Sequence, residues 1–299
     1  MNFIKYITPV NLANEKSKFF SSNIYNPQLE YNWNEPQSAK WVNTHPELRE
    51  IIAILHAQDK DQIRIVFSKL FDTQITSELL NLSRNIVSNK PYIIPSEPIT
   101  KVIKSFEQAF EFLGLEDYSI EIVDQYGFNF RPSAEDKKIL VSKYLNLDFF
   151  SIDGEVKHEL LHVIRHVNGK YNSIPKHPKY LPTEEGFATY CQDYAGENGR
   201  SSLFQHAAEY AMTEIALNGS LREVTDYLES IGFSQELAWQ RAIRHKFGFI
   251  DTSKPGDIMK PSMYFYHEQQ IKILTIEEKY RLFVGKITKE QLKEYPEYI

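Results

Sequence analysis

The stretch from Asp153 to Gly169, Asp-Gly-Glu-Val-Lys-His-Glu-Leu-Leu-His-Val-Ile-Arg-His-Val-Asn-Gly, constrains this chain more than any other. It contains His158-Glu159-Leu160-Leu161-His162, an HExxH pattern. On an α-helix, residues four apart differ by about 40° of rotation and about 6 Å of rise, so both imidazoles leave one face and can converge on one metal ion. Glu159, beside the first histidine, then reaches a water on that ion. The apolar residues Val156, Leu160, Leu161, Val163, Ile164 and Val167 account for the helix's packing. They leave His158, Glu159, His162 and Arg165 as a polar cluster that packing does not explain. Asp153 is the expected N-cap and Gly169 the expected stop.

A catalytic zinc takes three protein ligands and keeps a position for water, so a third ligand must come from further along. The peptidase class with a histidine six residues after the second one, and a glycine three after it, is excluded, because those positions hold Asn168 and Arg165. His166 lies about 12 Å up the helix axis from His158, too far to share the ion. The remaining source is Thr183-Glu184-Glu185-Gly186-Phe187-Ala188. Thr183 can cap a second helix, and an antiparallel arrangement would bring its opening turn beside the two histidines. Geometry alone leaves Glu184 and Glu185 open. Glu185, in its Glu-Gly-Phe-Ala setting, resembles the third ligand of zinc aminopeptidases in which a glutamate on a later helix follows HExxH. That resemblance implies Glu185 as the ligand, with Glu184 holding a ligand histidine or Arg165 from behind.

Composition decides what surrounds this site. With 299 residues, 42% hydrophobic and 25% charged, the chain is expected to be one globular domain over residues 1–299. Within it, 1–45 reads as an irregular arm, 46–113 as a helical part and 114–299 as the catalytic core. A net charge of −6 gives no support for a nucleic-acid partner. The start lacks a continuous apolar segment and no long apolar run follows, so neither membrane attachment nor signal-peptide export is expected and the default is cytoplasmic, with export by a route without a signal peptide as the alternative. The single cysteine, Cys191, excludes a disulfide framework and reads as a small buried apolar residue.

Before the motif, Tyr25, Tyr31, Trp33 and Trp41 read as aromatic anchors of the arm. Helical spacing of apolar residues predicts three helices from Pro46 to Lys90, a break from Pro91 through Pro95 to Pro98, and another helix from Ile99 to Leu113, capped by Gly114. The period then changes to two, and Tyr118–Val123, Tyr126–Phe130 and Lys138–Ser142 read as strands. Either the first or the last of these is a candidate edge for an extended peptide. Beyond the motif, helices are expected around 183–195, 201–217, 220–230 and 234–246. A Gly/Pro-bearing stretch from Gly248 to Pro261, a short aromatic run at Met263–Tyr266 and two small helices near 275–284 and 288–294 complete the chain.

The combination of His158-Glu159, His162-x-x-Arg165-x-x-Asn168-Gly169 and Thr183-Glu184-Glu185-Gly186-Phe187-Ala188 resembles the family of microtubule-associated tyrosine carboxypeptidases and their bacterial relatives, which show HExGTHxxRxxNG followed by an EEGLA-like segment. Ser220-Leu221-Arg222-Glu223-Val224, Arg241-x-x-Arg244, Asp251-Thr252-Ser253-Lys254-Pro255-Gly256 and Lys260-Pro261-Ser262-Met263-Tyr264 look like further segments of that family. Between Glu159 and His162 this chain has only Leu160 and Leu161 where the family pattern has three residues. The resemblance implies an α+β, mostly helical zincin-like fold with a small β-sheet before the HExxH helix, one Zn2+ per chain on His158, His162 and Glu185, and carboxypeptidase action on a peptide or protein C-terminus, aromatic residues included. Glu159 is then the general base, and Tyr264 the oxyanion donor with His267 as runner-up. Arg241 and Arg244 are candidates for the substrate's terminal carboxylate, because a guanidinium meets a carboxylate with two parallel bonds. Internal peptide cleavage, and a catalytically idle member that binds metal or a partner protein, are the alternatives.

Overall fold

The computed structural model describes residues 7–33, 46–89, 97–125, 128–147, 151–194 and 199–295. Trp41, the break at Pro91 to Pro95 and Tyr126-Gly127 lie outside the described residues. The described chain is mostly helical with one small sheet, an α+β arrangement. No helix in it is long and apolar enough to cross a membrane. It divides into two compact units, Met1–Ser88 with Ala208–Ser262 and Asn89–Ala207 with Met263–Ile299.

The first unit holds helices α1 (Leu12–Phe20), α2 (Pro46–Ala57), α3 (Lys60–Leu70) and α4 (Ser77–Ser88). The expected arm is thus not wholly irregular, since α1 lies within it. Three helices fill the span from Pro46 to Ser88 as the apolar spacing predicts, and Trp33 is buried against the Tyr31 ring, 4.7 Å away.

The second unit carries the motif. Helix α5 (Ile99–Phe112) ends before Gly114, whose φ of +66° suits a residue without a Cβ. Strands β1 (Ser119–Val123), β2 (Phe130–Ser133) and β3 (Lys138–Ser142) form a sheet in the order β1-β3-β2, with β1 parallel and β2 antiparallel to β3. β2 begins where the expected strand was to end, because Phe130 pairs with Val141 and the register runs forward to Ser133. β3 is the central strand and both of its sides are taken, so of the two candidate edges only β1 has a side unpaired among the described residues.

Helix α6 (Ile152–Tyr171) crosses this layer and is buried on both flanks. On one, Val156, Leu160 and Val163 pack with Val102, Phe106, Phe110, Phe130, Ile139 and Val141. On the other, Leu161 packs with Phe187, Ala188, Ile271, Leu282 and Ile287. The N-cap is Ser151, whose hydroxyl accepts from Gly154 N, and not Asp153, which is exposed and pairs with Lys157 one turn on. Gly169 does not stop the helix. It lets the helix approach Gly285, to whose Cα a Cβ at residue 169 would come within 3.4 Å.

Helix α7 (Leu181–Asp193) starts two residues earlier than expected, with Tyr180 as N-cap and Pro182 in the first turn. Thr183 therefore caps nothing, and its hydroxyl accepts instead from Lys289 N. α8 (Gly199–Asn218), α9 (Leu221–Ser230) and α10 (Gln235–His245) follow as expected, α9 opened by a reciprocal Ser220–Glu223 capping box. The aromatic run at Met263–Tyr266 proves to be part of an 11-residue helix, α11 (Ser262–Lys272). α12 (Ile276–Arg281) and the 3-10 turns Leu282–Val284 and Lys289–Lys293 end the described chain.

Phe106 is fully buried between the Phe110 and Phe130 rings at 6.2 and 5.5 Å, beneath the motif helix. Phe106→Ala is expected to destabilise the protein by about 3–5 kcal/mol in urea unfolding, the cost of a large cavity in a core that cannot collapse around it.

Candidate metal centre

Helices α6 and α7 run antiparallel. Glu155 and His158 meet Gln192 near one end, and His162 and Arg165 meet Glu184 near the other. This register places Glu185 across from the two motif histidines. His158 Nε2 lies 3.6 Å and His162 Nε2 3.7 Å from Glu185 Oε2, and one ligand atom from each residue falls within 4.8 Å of the others. These three residues could hold a metal ion, and among the described residues no other such group of His, Cys, Asp and Glu occurs.

The far nitrogen of each ring is tied. His162 Nδ1 is 2.8 Å from Glu184 Oε1, and a carboxylate can only accept, so Nδ1 carries a proton and Nε2 is the nitrogen turned towards Glu185. His158 Nδ1 is 3.0 Å from Gln192 Oε1, and Gln192 in turn donates to Glu155. In both rings Nδ1 is thus engaged by a protein side chain and Nε2 is the nitrogen that faces Glu185. Gln192 and Glu155 escaped sequence reasoning, although one signal was present: Gln192 is seven residues after Glu185, two helical turns, and so shares its face.

Glu184 lies behind His162 and outside the group that could hold a metal ion. Besides His162 it accepts from Arg165 Nη1 at 3.2 Å and from Lys286 Nζ at 2.6 Å. Burial opposes its charge, but these three partners outweigh burial and hold its pKa down to about 2. Arg165, fully buried, also donates Nε to the carbonyls of Leu282 and Gly285 and Nη2 to that of Ile287. His166 turns away, its Nε2 3.7 Å from Glu135.

Glu159 is buried, with Oε2 lacking any hydrogen-bond partner among the described residues. Burial raises its pKa, against the opposing pull of His158 and His162. At His158, burial disfavours the cation, yet contact with Glu185 and the charges of Glu159, Glu185 and Glu155 prevail and lift its pKa to about 9. The carboxylates around His158 thus favour a positive charge at that position. A His2Glu donor set in that field, beside an orphaned carboxylate oxygen, fits a divalent cation and a water.

Tyr264 lies next to the histidines, its ring centroid 6.4 Å from that of His158. His267 is buried where α11 crosses α7, and a Cβ at Gly186 would come within 2.5 Å of His267 Cβ. Gly186 thus allows the close approach that sets the Tyr264 helix beside Glu185. Arg241 and Arg244 belong to the other unit, where both face Glu209, at 3.3 and 3.9 Å. Burial pushes the Cys191 thiol up to about 12.

No family model matches the chain. Among curated proteins, it is 24% identical over 307 aligned residues to the microtubule-associated tyrosine carboxypeptidase 1 of Rattus norvegicus, covering 96% of this chain and 60% of that protein. It is 23% identical over 311 residues to the protein of the same name from Mus musculus, covering 98% and 62%. The chain therefore spans about three-fifths of the length of these relatives, a distant similarity over nearly all of its own residues.

Arg165→Met should cost about 3–5 kcal/mol of stability, because it strips a buried carboxylate of a buried partner and leaves three carbonyls without their donor. Urea unfolding at neutral pH measures it.

Proposed function

We propose that this chain is a zinc-dependent peptidase acting as a carboxypeptidase on a peptide or protein C-terminus, with a zincin-like catalytic unit. The observation that carries the metal reading is the meeting of His158, His162 and Glu185, with each ring's Nδ1 already occupied by a protein partner. The name shared by the two distant relatives supports the choice of a C-terminal residue, tyrosine first, over an internal bond.

A zinc ion held by these three residues would supply Lewis acidity for the scissile carbonyl and lower the pKa of an attacking water towards about 7. The protein's own groups do the rest. Glu159, its basicity raised by burial, takes a proton from the attacking water at its unpartnered carboxylate oxygen and passes it to the leaving amine. Tyr264 is the candidate donor to the oxyanion that develops on the carbonyl oxygen. Glu184 and Gln192 hold the two imidazoles so that neither reorganises during the reaction.

Elemental analysis of protein expressed with adequate zinc should find about one zinc per chain; protein that stays metal-free under those conditions refutes the reading. Glu185→Ala should lose the metal, whereas Glu184→Ala should weaken its binding by about tenfold to a hundredfold, and the reverse order would reassign the third ligand. Glu159→Gln should keep its zinc while kcat/KM falls by about a hundredfold or more. A peptide library read by mass spectrometry, with free and amidated C-termini compared, tests the exopeptidase claim: amidation should abolish cleavage, and internal cuts in both sets would overturn it.

A further inference from the structure

The catalytic reading leaves unused a second buried group of ionisable residues, formed where α7 ends, α8 begins and α11 passes. His206, on α8, is 5% exposed and its Nδ1 lies 3.6 Å from Asp193 Oδ2, at the last residue of α7. Asp193 is the neighbouring carboxylate of Glu268, which is fully buried on α11. Glu268 also meets Lys272 Nζ at 2.5 Å and accepts from Gln269. Burial and the neighbouring Asp193 push Glu268 up to about 8, against the pull of Lys272. The His206 ring stacks on Tyr264, with centroids 5.9 Å apart and planes only 15° from parallel.

These contacts close a ring. Tyr264 and Glu268 are four apart on α11 and so lie on one face. Glu268 adjoins Asp193, Asp193 faces His206, and His206 lies flat on Tyr264. A tyrosine on a helix surface can swing about two side-chain torsions. Here one face of the ring rests on a histidine that faces a buried carboxylate 3.6 Å away, and the ring also sits beside His158. Burying ionisable groups costs stability that an apolar cluster of the same volume would not lose.

We propose that His206 is a positioning residue for Tyr264, held by the Asp193–Glu268 pair, and that this ring of contacts aims the Tyr264 hydroxyl at the reacting carbonyl. The assignment rests on the reading of Tyr264 as oxyanion donor, and its test separates the two. The full chain, metal-free and labelled with 3-fluorotyrosine, is examined by 19F NMR. Tyr264 is identified as the resonance missing from Tyr264→Phe. In His206→Ala that resonance should move, with the other tyrosine resonances in place, and His206→Phe, which keeps a stacked ring, should return it towards its original position. If His206→Ala disturbs the whole spectrum, Asp193→Asn, which keeps both rings, serves instead and should move the Tyr264 resonance alone. A Tyr264 resonance indifferent to these changes overturns the proposal. In the zinc-loaded protein, His206→Ala should lower kcat about tenfold to a hundredfold with KM within about twofold, and should add nothing in a Tyr264→Phe background. Losses that multiply mean that His206 acts on its own and refute the assignment. If the resonance responds but the parent protein cleaves no peptide, the positioning role stands and the carboxypeptidase reading falls.

Discussion

The contact between Arg165 and Glu184 is the one on which the rest of this unit depends. Both are buried, at 0% and 1% exposure, where an unpaired charge is expensive. Each is satisfied several times over. The guanidinium joins α6 to α7 through Glu184 and to the C-terminal turn through Leu282, Gly285 and Ile287. The carboxylate, through its other oxygen, orients His162. The tie that assembles three segments of chain therefore also sets a ring at the candidate metal centre. A loosened fold and a misaligned imidazole are one event, not two.

Charge follows the same division. Glu184 has Arg165 and Lys286 for company and keeps its charge in full. Glu155, Glu159 and Glu185 act on His158, which holds a proton more tightly than an ordinary imidazole. The proposed zinc would take over that proton's electrostatic task, which makes metal uptake at this site a proton-releasing reaction.

What the sequence disclosed followed the range of the interactions. HExxH is a rule of one helix, and the helix could be read from Val156, Leu160 and Val163 without knowing what they touch. The three helices before Ser88 and the strands at 119 and 138 followed from period alone. Gly169 was misread because a glycine that stops a helix and one that admits another backbone look identical in one dimension. Asp153 and Ser151 are both good caps, and only the path of the chain chose between them. Gln192, Glu155, Asp193 and His206 stayed hidden because their partners are 13 to 37 residues or more away and no spacing rule links them. Arg241 and Arg244 show the converse: a suggestive pair of cations whose shared carboxylate, Glu209, lies 32 residues upstream of Arg241.

The regularity of α6 carries a final consequence. From Ile152 to Tyr171 the helix is α throughout, and four contacts are read off it in sequence: Glu155 to Gln192, His158 and His162 to Glu185, Arg165 to Glu184, and Gly169 to Gly285. They share one angular phase. One extra residue anywhere between His158 and Arg165 would turn everything beyond it by about 100° about the axis, unless the helix absorbed the insertion as a π-turn. The same unbroken phase joins the candidate metal ligands to the glycine contact two turns beyond them, so the length of this segment shapes the candidate site as much as the identity of its histidines does.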